Sequence, residues 1–194
     1  MPKPVPWDWA APRLIPVLAG PIIDPPGEAS VRVRSDLGPI VEIGLDLGTA
    51  LAYVDMRVAE RWECSPDQLI DKSLQNLTRR AERIDVDRIQ AGVCSGRAMH
   101  LLRGRPPWAS SLLLAPEALT RLFGGHDQIF AAPTAECLLS FPLDTPALTI
   151  ADMVVDFERG SRRPLWLDPF VISDGELSWI QPVSEGDGGD DWTS

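Results

Sequence analysis

Residues 41–54, VEIGLDLGTALAYV, decide the fold. Apolar residues alternate with polar or small ones from position 41 to position 47, which is the period expected of a β-strand with one buried face. Gly48-Thr49 then separates this run from a second apolar run at residues 50–54. The pattern predicts a β-hairpin whose short connection lies at Gly48-Thr49.

Local signals predict further elements on both sides of this hairpin. The apolar alternation at residues 31–33 indicates a strand just upstream. Downstream, Ser65 and Gln68 flank Pro66 with the spacing of a capping box, so a helix is predicted to begin at Pro66. A shorter helix is predicted around residues 56–62. The apolar stripe of the longer helix consists of Leu69, Ile70, Leu74, Leu77 and Ala81.

The second half of the chain is predicted to combine short strands with helices. Strand patterns occupy residues 97–104, residues 127–133 and both flanks of the turn dipeptide Asp174-Gly175. Helix signals occupy residues 115–125 and 145–160, whereas the apolar run at 110–116 is too short for its period to assign. The whole pattern predicts a single compact α/β or α+β domain with a mixed or antiparallel sheet and about four helices.

The two ends of the chain differ from the middle in composition. Residues 1–30 contain eight prolines, and because proline fixes φ and lacks a backbone donor, we expect a proline-rich arm without regular elements. Its many apolar residues predict that the arm packs largely on the globular part, residues 31–180. Residues 181–194 are acidic and glycine-rich, which predicts a disordered tail.

Charge and cysteine content narrow the function classes. A net charge of -10, from 18 basic and 28 acidic residues, disfavours nucleic acid as a partner, because phosphate backbones are bound by clustered lysine and arginine. No apolar run approaches the roughly 20 residues of a membrane-spanning helix, so no membrane association is expected. Three cysteines without CxxC spacing and the lack of a signal-peptide pattern at the N-terminus favour the cytoplasm.

The segment GLDLGT, residues 44–49, resembles the first phosphate loop of the actin, Hsp70 and sugar-kinase superfamily. This resemblance implies that the backbone at Gly48 and Thr49 would meet nucleotide phosphates, while Asp46 would meet the metal through water. That superfamily also needs two large subdomains and a second phosphate loop, for which 194 residues are too few. We therefore favour an ordinary hairpin here and keep nucleotide or phosphate binding at this turn as an alternative.

An arginine cluster next to an aromatic residue is a second candidate site. Arg97, Arg103 and Arg105 lie close in sequence to Trp108. Guanidinium groups pair bidentately with carboxylates and phosphates, so the cluster could bind an acidic partner. The alternative is a solvated loop, the ordinary environment of exposed charged residues.

Cysteine and histidine residues give weaker signals. Their spacings match no paired-ligand pattern, so no metal and no cofactor are expected. A nucleophilic Cys–His pair stays open, because such pairs form in space and not in sequence. The residues concerned are Cys94, Cys137, His100 and His126.

Residues 53–180 also resemble the YtpQ-like bacterial domain family of unknown function. The resemblance lies in the order of four segments: LIDKSLQNL, SSLLLAPEAL, GGHDQIFAAPTAECLLS and PLWLDPFVISDGELSW. It implies a compact cytoplasmic α/β or α+β domain with no assigned activity, and therefore gives no catalytic residues. It also implies that the strand before the QNL helix is an ordinary structural strand.

These observations favour a non-catalytic binding or adaptor module whose partner is another protein. The absence of GxSxG, GxGxxG and Walker strings removes positive support for a hydrolase or a dinucleotide enzyme. The alternative is a small enzyme or a nucleotide-binding or phosphate-binding protein that uses the turn at residues 44–49. A cavity that holds two of Asp46, Cys94, His100 and His126 within hydrogen-bond reach would favour an enzyme.

Overall fold

A computed structural model describes residues 5–20, 30–34, 40–94, 96–104, 107–124, 127–161, 164–165, 167–173 and 176–180. Its helices are α1 Trp7–Ala10, α2 Met56–Arg61, α3 Pro66–Ala81, α4 Pro116–Phe123 and α5 Ala147–Arg159. Short 3₁₀ helices lie at Ala11–Arg13, Val86–Arg88 and Ala109–Leu114. The strands are β1 Leu14–Ala19, β2 Arg32–Arg34, β3 Ile40–Asp46, β4 Leu51–Tyr53, β5 Gln90–Cys94, β6 Arg97–Arg103, β7 Gln128–Thr134, β8 Cys137–Pro142, β9 Phe170–Ser173 and β10 Glu176–Trp179.

The strands form two antiparallel sheets, so the fold is α+β. In the first sheet β3 is central: it pairs with β1 along one edge, and β2 and β4 pair with different parts of it. The second sheet has the order β10-β9-β7-β8-β6-β5. The sequence predicted either a mixed or an antiparallel sheet, and the antiparallel arrangement is confirmed. The four helices predicted from the sequence are α2, α3, α4 and α5.

The hairpin and the capping box are both confirmed. Asp46 pairs with Leu51 across β3 and β4, and the Leu47 N–H donates to the Ala50 carbonyl over 3.0 Å to close the turn. At the start of α3 the Gln68 N–H donates to the Ser65 hydroxyl over 3.2 Å, and the Ser65 N–H donates to the Gln68 side chain over 2.9 Å. Each cap residue thus satisfies an orphan donor of the other.

The expectation that no regular element runs through residues 1–30 is wrong, because α1, the 3₁₀ helix Ala11–Arg13 and the strand β1 all lie there. This strand is buried along its whole length and carries Pro16 opposite Ile43. Proline is tolerated there because β1 is the last strand of its sheet among the described strands, so its outer edge needs no ladder donor. The rest of the predicted arm, at residues 1–4 and 21–29, and the predicted acidic tail, at 181–194, lie outside the described residues.

Side chains of α3, together with Trp62 just after α2, hold this N-terminal segment in place. The buried Asn76 amide donates to the carbonyls of Ala11 and Leu14, over 2.7 and 3.0 Å. Arg80 donates to the Pro12 carbonyl over 3.0 Å, and the Trp62 indole donates to the Val5 carbonyl over 2.9 Å. Residues 5–19 are therefore an integral part of the fold.

The two sheets share one hydrophobic core. It combines Val17 of β1 with Leu102 and Phe130 of the second sheet, together with α3, α4 and the 3₁₀ helix Ala109–Leu114. A second cluster lies on the other face of the first sheet, under α1 and α2, and a third lies between the second sheet and α5. The second sheet is thus covered on both faces, and α5 lies on the outer one.

Candidate functional site

A groove of about 690 Å³ opens where three parts of the fold meet. The β3–β4 hairpin forms one wall, the turn between β7 and β8 another, and the C-terminal end of α5 the third. Most of its lining side chains are exposed or half-buried. Those that carry polar or aromatic groups are Thr49, Tyr53, Arg103, Thr134, Glu136, Asp156, Phe157 and Ser161.

Arg103 is the cation of this groove. It ends β6, and its guanidinium carbon lies 5.4 Å from the centre of the Phe157 ring. Among the residues that the structure describes, no carboxylate lies within ion-pair distance of it, although Glu136 and Asp156 line the same groove. The aromatic ring supports the flat guanidinium on one face and leaves its N–H groups available to a ligand.

Thr134 supplies a second donor at the end of β7. The residue is only 8% exposed, yet its hydroxyl makes no hydrogen bond to any residue in the described ranges. Among the described residues, the buried side-chain polar atoms without a partner are the hydroxyls of Ser111 and Thr145. The Thr134 hydroxyl is therefore open to the groove that it lines. A hydroxyl in this state, on the lining of a groove, suits a ligand that brings a polar atom to it.

The predicted site residues separate into different places. Thr49 and Arg103 line the groove together. Asp46 and Gly48 line a second cavity behind the hairpin. Arg97 lies apart from both and forms an ion pair with Asp144. Arg105 lies outside the described residues, so the predicted arginine cluster stays a prediction.

For Gly44, Asp46 and Gly48 of the GLDLGT segment, the structure of the chain itself accounts for the residue type. Asp46 Oδ1 accepts from the Gly48 N–H over 2.7 Å, and Oδ2 accepts from Arg80 and from the Trp108 indole, the latter over 2.9 Å. Gly48 has φ of 86°, which disfavours other residues, and a Cβ at Gly44 would lie 3.0 Å from a Val17 methyl group. Nucleotide binding at this turn stays a prediction.

The register of the second sheet places cysteine and histidine on opposite faces. Cys94 and Cys137 belong to the cluster under α5. His100 lies on the other face, where its ring is 6.5 Å from that of Phe123. Neither cysteine can therefore pair with His100 as nucleophile and base. His126 lies outside the described residues, so a pair that includes it stays a hypothesis.

The Cys137 thiol is also held in its unreactive form. Burial raises its pKa to about 12, and this effect exceeds the opposing influence of the Arg103 charge. Because the thiolate is the nucleophile, we expect iodoacetamide at about pH 8 to leave Cys137 unmodified in the native protein and to modify it in urea. Peptide mass spectrometry would show this. Modification of native Cys137 as fast as that of the half-buried Cys94 would contradict the prediction.

Several groove residues were not candidates in the sequence. No sequence motif includes Tyr53, Thr134, Asp156 or Phe157. Glu136 was noted only as part of the segment GGHDQIFAAPTAECLLS, which resembles the YtpQ-like family. They come from segments that are far apart in the chain and meet only through sheet pairing and the position of α5. The one local signal was the short turn Ala135-Glu136 between two apolar strands, which is typical of any hairpin.

Comparison with known protein families, with curated proteins and with solved structures found no match to this chain. In the part of the chain that the structure describes, no helix has both the length and the apolar content needed to cross a bilayer. The same residues contain no group of three or more side chains suited to hold a metal ion.

Proposed function

We propose that this protein is a non-catalytic binding module whose groove receives a polypeptide segment of a partner protein. The observation that carries the proposal is the presence, in one groove, of two donors that have no hydrogen-bond or ion-pair partner among the described residues: the Arg103 guanidinium and the Thr134 hydroxyl. Both have the chemistry to bind an acidic or carbonyl-bearing ligand.

The shape and composition of the groove favour a polypeptide. Sites for small molecules are mostly enclosed and apolar, whereas this groove is open and has charged walls. Tyrosine and arginine are enriched in protein interfaces, and here Tyr53 and Arg103 lie on the same groove.

The charges of the groove define the expected peptide. Arg103 would bind one acidic side chain, with the Thr134 hydroxyl donating to the same carboxylate or to a backbone carbonyl. Glu136 and Asp156 would repel further acidic residues and would pair with a basic residue or with peptide N–H groups. We therefore expect a segment with an acidic residue next to a basic one.

Selection from a phage-displayed random peptide library would test this proposal. Peptides with the expected pattern should be enriched, and their addition should shift the NMR amide signals of Thr49, Arg103 and Thr134. Arg103→Ala should weaken the selected peptides by about tenfold or more, since a desolvated charge-assisted contact is lost. Isothermal titration would measure the change.

Arg97→Ala is the matched control. Arg97 is the first residue of β6, whereas Arg103 is the last, and it pairs with the exposed carboxylate of Asp144. It should leave peptide affinity at the wild-type value. Equal affinity of the selected peptides for Arg103→Ala and for the wild type would refute the proposal. So would NMR shifts confined to surfaces outside the groove.

A further inference from the structure

A second cavity, of about 670 Å³, lies behind the β3–β4 hairpin. Its walls come from α1, the 3₁₀ helix Ala11–Arg13, the C-terminal half of α3 and the hairpin turn. Three charged side chains line it: Arg13, Arg80 and Asp46. The lining is therefore cationic by one charge in a chain whose net charge is -10.

Asp46 and Arg80 already neutralise each other. Arg80 donates to Asp46 Oδ2 and also to the Pro12 carbonyl. The Asp46 carboxylate accepts two further bonds, from Gly48 and Trp108. Asp46 therefore makes three bonds within the chain, and among the described residues no ion pair joins it to Arg13.

Arg13 is held in place by an aromatic ring and a backbone carbonyl. Its guanidinium carbon lies 4.2 Å from the centre of the Trp9 ring, and one of its N–H groups donates to the Trp9 carbonyl over 2.7 Å. The residue is half-buried, and no carboxylate in the described ranges is within ion-pair distance of it. Stacking and the backbone contact hold the group before any ligand arrives, which lowers the entropy cost of binding.

We propose that this cavity binds the oxyanion of a small organic molecule, a carboxylate or a phosphate, with Arg13 as the main donor. The remaining N–H groups of Arg13 match either oxyanion in geometry. Trp9 and Leu47, which are 41% and 47% exposed, add apolar walls to the same cavity. The ligand therefore carries an apolar or aromatic portion beside its anionic group.

Two pairs of simple probes separate the parts of this proposal. Phenyl phosphate and benzoate carry a ring, whereas inorganic phosphate and acetate do not. We expect saturable binding of at least one ring-bearing probe at constant ionic strength, and weaker binding of its ring-free counterpart. Tighter binding of phenyl phosphate than of benzoate would assign a phosphate ligand, and the reverse order would assign a carboxylate. Absence of saturation by either ring-bearing probe up to about 10 mM would overturn the proposal.

Arg13→Gln removes the charge and should weaken the ring-bearing probe about tenfold. Arg13→Lys keeps the charge but not the planar guanidinium group. Its affinity for the probe should therefore lie between that of the wild type and that of Arg13→Gln. Arg97→Gln is the control and should bind the probe as the wild type does, because Arg97 lies outside this cavity. Unchanged affinity in Arg13→Gln would contradict the assignment.

NMR of the wild-type protein gives a readout that does not depend on the folding of any variant. The probe should shift the indole N–H signal of Trp9 and the amide signal of Gly48, and shifts confined to other regions would overturn the site. Arg103→Ala should not alter probe binding, since Arg103 lines the other groove. Oxyanion binding in the cavity and peptide binding in the groove are therefore tested separately.

Discussion

Asp46→Ala is expected to lower the free energy of unfolding by about 2–4 kcal/mol, because the substitution leaves partly buried donors without an acceptor. The Asp46 carboxylate is only 9% exposed and joins three parts of the fold. It accepts from Gly48 in the hairpin turn, from Arg80 on α3 and from the Trp108 indole. Trp108 is itself almost fully buried, so water cannot readily replace the lost acceptor.

Urea denaturation followed by circular dichroism would measure this loss. Asp152→Ala is the matched control, because Asp152 is an exposed carboxylate on α5 and should change stability by less than about 0.5 kcal/mol. Asp46→Asn keeps an acceptor oxygen but loses the charge, so its stability should lie between those of the wild type and Asp46→Ala. A stability of Asp46→Ala equal to that of the control would show that the three contacts contribute nothing.

The same variant also separates the structural role of Asp46 from the phosphate-loop hypothesis. If the turn bound Mg-ATP, the wild type would bind it more tightly than about 100 μM and Asp46→Ala would lose that binding. If Asp46 is a structural acceptor, stability falls whether or not nucleotide is present. Isothermal titration and urea denaturation on the same two proteins therefore test both roles.

Asn76→Leu is expected to lower the free energy of unfolding by about 2–3 kcal/mol, since two backbone carbonyls lose their buried donor. Asn76 lies on the inner side of α3 and bonds to Ala11 and Leu14, at the entry to β1. Leucine has a similar volume, so the change removes hydrogen bonds without opening a large cavity. We expect β1 to separate from β3 before the rest of the protein unfolds.

Hydrogen exchange would detect this local release. The β1 amides that bond to β3 should exchange faster in Asn76→Leu, whereas the amides of β7 and β8 should lose no more protection than the global change in stability explains. Gln75→Leu places the same substitution on the exposed neighbouring position and should leave β1 protected. Equal β1 protection in the two variants would contradict an anchoring role for Asn76.

Local chemistry made part of this fold predictable. The capping box at Ser65 and the turn at Gly48-Thr49 depend on residues within four positions of each other, so the sequence contains all the information needed. The apolar stripe of α3 is local in the same way. Its orientation against β1 depends on long-range contacts, and the sequence did not predict it.

Long-range pairing decided the rest. Eight prolines in residues 1–30 predicted an arm without regular elements. Pro16 nevertheless fits in β1, because among the described strands β1 pairs only with β3 and its other edge needs no backbone donor. The apolar run at 110–116 gave no period, and most of it forms a buried 3₁₀ helix. For the groove, the sequence pointed to Thr49 and Arg103 separately, but their meeting follows from the packing of the hairpin against the second sheet.

The anchoring of β1 by α3 has a consequence for synthesis on the ribosome. Asn76 follows Leu14 by 62 residues, so β1 leaves the ribosome before its anchor has been made. At about 5–20 residues per second the delay is roughly 3–12 s, during which β1 has no contact with α3. Pro16 cannot donate to a foreign strand, and proline in an exposed strand discourages pairing between chains. We therefore expect Pro16, the residue that disfavoured a strand in the sequence, to reduce pairing between nascent chains until α3 is complete.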